Sequence, residues 1–87
     1  MKTTEKNALV AYVDRIDREW ILAKITVLKA RLANDIAKAQ KDKEYENTCF
    51  WERYGAVKAL EAVGLKFERS ELGRCLETEY RELEMKF

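Results

Sequence analysis

Residues 8–39 read ALVAYVDRIDREWILAKITVLKARLANDIAKA, thirty-two positions with no proline, no glycine and a heavy load of aliphatic side chains. Placed on a helix at 100° per residue with Trp20 as origin, Leu9, Tyr12, Val13 and Ile16 fall within about 80° of Trp20. Asp14, Asp17, Arg18 and Glu19 make up the polar side of that half. Beyond Trp20 the apolar set becomes Ile21, Ile25, Leu28, Leu32, Ile36 and Ala39, centred about 120° away. Supercoiling removes only part of such a drift, so one straight partner cannot cover both halves. Either the helix kinks near Trp20, Ile21 and Leu22, or its two halves pack against different neighbours.

No glycine or proline precedes Gly55, and Thr3 or Thr4 is the expected cap of a helix running to about Gln40. Such a rod is about 54 Å long, whereas a compact 87-residue domain is about 31 Å across. The expectation is an overhang whose apolar face, Leu9, Val13, Ile16 and Trp20, is covered by a second copy, since no residue near position 20 forms kinks.

Outward from this helix, the polar stretch 41–48 is the expected connection, with Asp42, Asn47 or Thr48 as the next N-cap. A second helix is expected to reach Val63, with Gly64 as the left-handed residue that ends it. Ser70, the one serine of the chain, is placed to cap a third helix reaching the C-terminus. Its apolar face reads Leu72, Cys75, Leu76, Tyr80, Leu83 and Phe87, and Gly73 either weakens the first turn or admits a close neighbour. The fold class is all-α: residues 1–87 form a single helical domain, a long N-terminal helix packed with a shorter helical hairpin, a three-helix unit that is expected to be oligomeric.

Composition narrows the function classes. With 47% hydrophobic and 38% charged residues and a net charge of +1, no global field points to nucleic acid or membrane. No apolar run is long enough to span a bilayer, and Met1 to Asn7 lack the apolar core of a signal peptide, so the expected compartment is the cytoplasm. Cys49 and Cys75 are expected to be reduced and buried. Two lone thiols without any histidine give neither a zinc site nor a Cys–His nucleophile, so no metal, no cofactor and no catalytic residue is expected.

Two surface signals remain. Cys49-Phe50-Trp51-Glu52-Arg53-Tyr54 packs three aromatics into five positions, more than one helix face buries. Trp51, Arg53 and Tyr54 are residue types that dominate interface hot spots, which points to a protein partner. The stripe Lys24, Arg31, Lys38 sits in a segment, 20–41, with five basic groups and one acid. It either lies beside the acidic segment 68–87 or meets the phosphates of a nucleic acid or nucleotide. The function expected from these features is a non-enzymatic interaction protein that self-associates and binds a protein partner, such as a small regulator or a phage-type inhibitor of a host protein. The alternatives are anion binding through the basic stripe and a structural coiled-coil subunit.

Overall fold

The computed structural model describes residues 2–87, and among these it contains three helices and no strand: α1 (Thr3–Leu32), α2 (Ile36–Ala62) and α3 (Glu71–Glu84). Met1, the first residue of the polar opening stretch, lies outside the described residues. None of the described helices is long and apolar enough to cross a membrane.

α1 begins at Thr3, so neither threonine caps it. The Lys2 amide donates instead to Glu5 Oε2 at 3.2 Å, and that carboxylate suits the positive end of the helix dipole. The helix is continuous through Trp20 but ends at Leu32, eight residues before the expected boundary. Asn34 takes the left-handed conformation at φ 58°. Its amide donates to the Arg31 carbonyl at 2.9 Å, and the Asp35 amide donates to the Ala30 carbonyl at 2.9 Å, which together close a Schellman motif. Asp35 then caps α2, its carboxylate accepting from the Lys38 amide at 3.1 Å. The connection is therefore 33–35. Residues 41–48, expected to form it, lie inside α2, where their polarity is that of an outward helix surface.

The end of α2 repeats the device. Gly64, at φ 79°, donates to the Glu61 carbonyl and Leu65 donates to the Leu60 carbonyl. Ser70 caps α3, its hydroxyl accepting from the Gly73 amide at 3.1 Å. Both assignments agree with the sequence.

The early turn changes the topology. α1 and α2 form the long hairpin, antiparallel, with Trp20 against Phe50 and with Val13 and Ile16 against Ala56 and Leu60. The chain then returns past the start of α1, and α3 runs parallel to it, with Asp17 meeting Arg69, Lys24 meeting Tyr80, and Lys29 meeting Glu79. Among the described residues α3 packs on α1 and not on α2, so α1 is the central element. That explains the rotated apolar face. The Val13, Ile16 and Trp20 side is turned to α2, while Ile21 and Leu28 lie within about 60° of Lys24, on the side turned to α3. Ala23, Val27 and Ala30 continue the Trp20 side and are buried too, so α2 lies along both halves, α3 adds a second neighbour to the later one, and no kink is needed.

The unit is elongated, 49 × 23 × 15 Å, with a radius of gyration of 14.8 Å against about 12 Å for a compact chain of this length. α1 spans about 45 Å, and α2 runs beside it for about 40 Å. The predicted overhang is thus absent. Val13 and Ile16 are buried within their own chain, with Leu9, Val57, Leu65 and Phe67 packed around them.

Candidate functional site

Asp17 is the organising charge of the molecule. Its carboxylate is wholly buried on α1 and accepts three hydrogen bonds across long stretches of sequence: Arg53 Nε at 2.7 Å, Arg69 Nε at 2.8 Å and a terminal nitrogen of Arg69 at 3.0 Å. Arg69 is bidentate, the arrangement that best matches guanidinium to carboxylate. The same Arg69 also donates to Glu77 on α3, and Glu77 accepts from Arg81 at 3.0 Å. One carboxylate therefore ties α2, the 63–70 segment and α3 to α1.

Gly73 makes this approach feasible. A Cβ there would stand 2.7 Å from Arg69 Cγ and 3.4 Å from an Asp17 oxygen. Of the two readings of this glycine, close approach is the one realised. The consequence is a small rotation of α3: Leu72 and Phe87 are each 63% exposed and Cys75 is exposed, while Gly73 is buried and Leu76, Glu77 and Tyr80 are half-buried. Cys49 is buried as expected, and Cys75 is not.

Beside the clasp, the Trp20 ring carries two cations, the Lys24 ammonium 3.9 Å and the Arg53 guanidinium 4.9 Å from its centroid. Lys24 also sits 4.3 Å from the Tyr80 centroid. Burial, and then the neighbouring Arg69, hold its ammonium below the ordinary lysine range. Arg81 first, and Arg69 after it, hold the Glu77 carboxyl below the usual carboxylate range. Hydrogen bonding to Asp17 keeps the Arg69 guanidinium firmly charged. Each carboxylate of the clasp faces a guanidinium, so the arrangement binds its own parts together rather than leaving a reactive group poised.

The sequence-assigned groups are distributed as follows. Trp51 and Tyr54 lie on the outer side of α2, 66% and 50% exposed, and Phe50, Trp51 and Tyr54 form a ridge of edge-to-face rings at 5.2 and 5.9 Å. Arg53 does not join them, because it turns inward to Asp17. Leu9, Val13, Ile16 and Trp20, assigned to self-association, face this chain's own α2 and the segment after it. The basic stripe is dispersed by the turn at 33–35. Lys24 lies between two aromatic rings, Lys38 begins α2 and pairs with Asp42 at 2.6 Å, and Arg31 lines an open groove of about 600 Å³ at the elbow with Asn34, Ile36, Gln40, Lys43, Glu44 and Asn47. Lys29 stands 3.9 Å from Glu79, so part of the basic segment does lie beside the acidic one. No cluster of three metal-ligating side chains occurs among the described residues.

Sequence reading missed Asp17 and Arg69. Asp17, grouped with the polar side of α1, in fact lies about 60° from Trp20, inside the apolar sector and fully buried, and that position was the available signal. For Arg69, 52 residues distant from its partner, the sequence carries none.

Fold and site together define an elongated three-helix unit with a buried ionic clasp and an aromatic ridge on its outer helix. No protein-family model, curated protein or solved structure matches the chain.

Proposed function

We propose that this chain is a non-enzymatic interaction protein that self-associates and docks on a protein partner, in the manner of a small regulator or inhibitor. The observation that carries the reading is the outward ridge of α2, where Trp51 and Tyr54 hold half or more of their surface in water on a helix whose inner side is fixed by Asp17. Large aromatics on a rigid element lose little entropy on binding and supply most of the energy at protein interfaces. The self-association surface is moved by this reading from the Leu9 to Trp20 face of α1 to the outer face of α2, and the partner surface stays on Trp51 and Tyr54 without Arg53.

A second reading, an anionic ligand such as a nucleotide, is supported by the elbow groove, where Arg31 and Lys43 stand among Asn34, Gln40 and Asn47. Light scattering coupled to size exclusion, with full ultraviolet spectra at low and high salt, separates the two. A concentration-dependent mass above that of one chain with a pure protein spectrum supports interaction between proteins. A salt-sensitive nucleotide absorbance on a one-chain mass supports the groove instead.

A further inference from the structure

We infer that the outer face of α2 is the surface on which a second copy of this chain docks, the two α2 helices running antiparallel about a two-fold axis through Gly55. The inference rests on the proposed self-association and names the surface and the register.

Gly55 is exposed inside α2, seven residues before its end, and a Cβ built on it meets nothing within 4 Å. A mid-helix glycine weakens a helix, and nothing in its own chain requires this one. Its neighbours on the same face are Thr48, Trp51, Glu52, Lys58, Ala59 and Ala62, all exposed.

A two-fold axis through Gly55 sets each position against the one equally far beyond it on the other copy. Glu52 then stands level with Lys58, an acid beside a base, twice, with Lys58 exchanging its exposed 3.6 Å contact with Glu61 for Glu52. Trp51, the most exposed aromatic of the ridge, faces Ala59, a large side chain against a small one. Thr48 faces Ala62. The members of each pair stand level on opposite sides of the seam, Thr48 and Ala62 about 20° from its centre line, Trp51 and Ala59 about 40° and Glu52 and Lys58 about 60°. The first two pairs therefore meet near the seam, and the long Glu52 and Lys58 side chains reach across it. Parallel pairing sets Trp51 against Trp51 and Glu52 against Glu52, crowding the rings and repelling the acids. The shared face, residues 48–62, is about 21 Å long, less than a standard interface. The dimer is accordingly a reversible one, on the order of 10 µM or weaker.

The test is sedimentation velocity of the full chain from about 5 to about 500 µM, with circular dichroism confirming that each variant stays helical. The wild type is expected to shift from one-chain to two-chain mass. Glu52→Lys alone and Lys58→Glu alone are expected to weaken this at least tenfold, and mixing the two variants is expected to restore a dimer of one of each. Trp51→Ala is expected to remain monomeric. A wild type that dimerises with no response to these variants overturns the α2 surface and leaves self-association standing. A wild type monomeric throughout overturns both, and charge variants whose mixture fails to recover overturn the antiparallel register.

Discussion

Replacing Asp17 by Asn removes one negative charge and almost no volume, and it probes the clasp on which the three-helix arrangement depends. The carboxylate is fully buried and accepts three charge-assisted hydrogen bonds from side chains that are themselves only 22% and 19% exposed. After the change Arg53 stays largely out of water without a carboxylate partner, and Arg69 keeps only Glu77. Breaking a buried pair from one side costs about 3–5 kcal/mol. Total stability for a domain of 87 residues is about 4–13 kcal/mol, so the variant loses a large share of it. At about 4–8 °C per kcal/mol for a domain of this size, the midpoint should fall by at least about 12 °C. Urea and thermal unfolding followed by far-ultraviolet circular dichroism measure this directly. Asp14→Asn is the control, since Asp14 is half-buried but pairs only with Arg18, four residues along the same helix, and such intrahelical pairs contribute less than about 1 kcal/mol. An Asp17→Asn loss below about 1 kcal/mol, equal to the control, would refute the idea that one buried carboxylate fastens α2 and α3 to α1.

Other consequences follow from the same geometry. Gly73→Ala places a Cβ against Arg69 Cγ at 2.7 Å and should cost about 1–3 kcal/mol in urea unfolding, whereas Gly55→Ala, in open space, should stabilise the isolated chain by up to about 1 kcal/mol. Asn34→Ala should cost about 1 kcal/mol and Asn34→Gly almost nothing, because the left-handed turn at φ 58° is strained for alanine alone of these three. Glu77 has a folded-state pKa below its unfolded one, so its contribution is present above the ordinary carboxylate range, about 4.3, and is lost as pH falls through the folded value. Wild-type stability should therefore fall more steeply between about pH 5 and pH 3 than that of Glu77→Gln. In the native protein a maleimide should label Cys75 rapidly and Cys49 only on unfolding, since Cys49 is buried and burial raises its thiol pKa; rapid labelling of Cys49 would contradict the packing of α2, and slow labelling of Cys75 the placement of α3.

The two Schellman turns show what sequence can and cannot disclose here. Gly64 was legible because only glycine is an obvious left-handed residue, and Ser70 because a lone serine before a helical pattern is a recognisable cap. The turn at Asn34 uses the same hydrogen bonds, yet asparagine followed by Asp35 sits inside an apolar periodicity that runs on into Ile36 and Ala39. Placing the break eight residues late turned a hairpin of α1 and α2 into a single overhanging rod. The rotation of the apolar face was read only in part: Ala23, Val27 and Ala30 keep the Trp20 side buried to the end of α1 while Ile21, Ile25 and Leu28 widen it, and Leu32 and Ile36 are exposed. The all-helical class survived the shift because it depends on composition and period rather than on the boundary. The clasp was not legible as a whole, since ion pairs across 36 and 52 residues leave no local pattern. Arg53, grouped with Trp51 by proximity in sequence, points about 160° away from it on the helix.

The pairing of copies through α2 is tested most directly by proximity between chosen positions, in a Cys75→Ser background that removes the exposed thiol. Thr48→Cys and Ala62→Cys chains are prepared separately, then treated alone or mixed at about 500 µM with a bismaleimide bridging about 8–10 Å. Antiparallel pairing about Gly55 sets position 48 against position 62 of the other copy and holds like positions about 21 Å apart along the helix. The predicted result is a cross-linked dimer in the mixture and almost none in either chain alone. Cross-linking of each chain alone as efficiently as the mixture, or none in a mixture that sediments as a dimer, would contradict it.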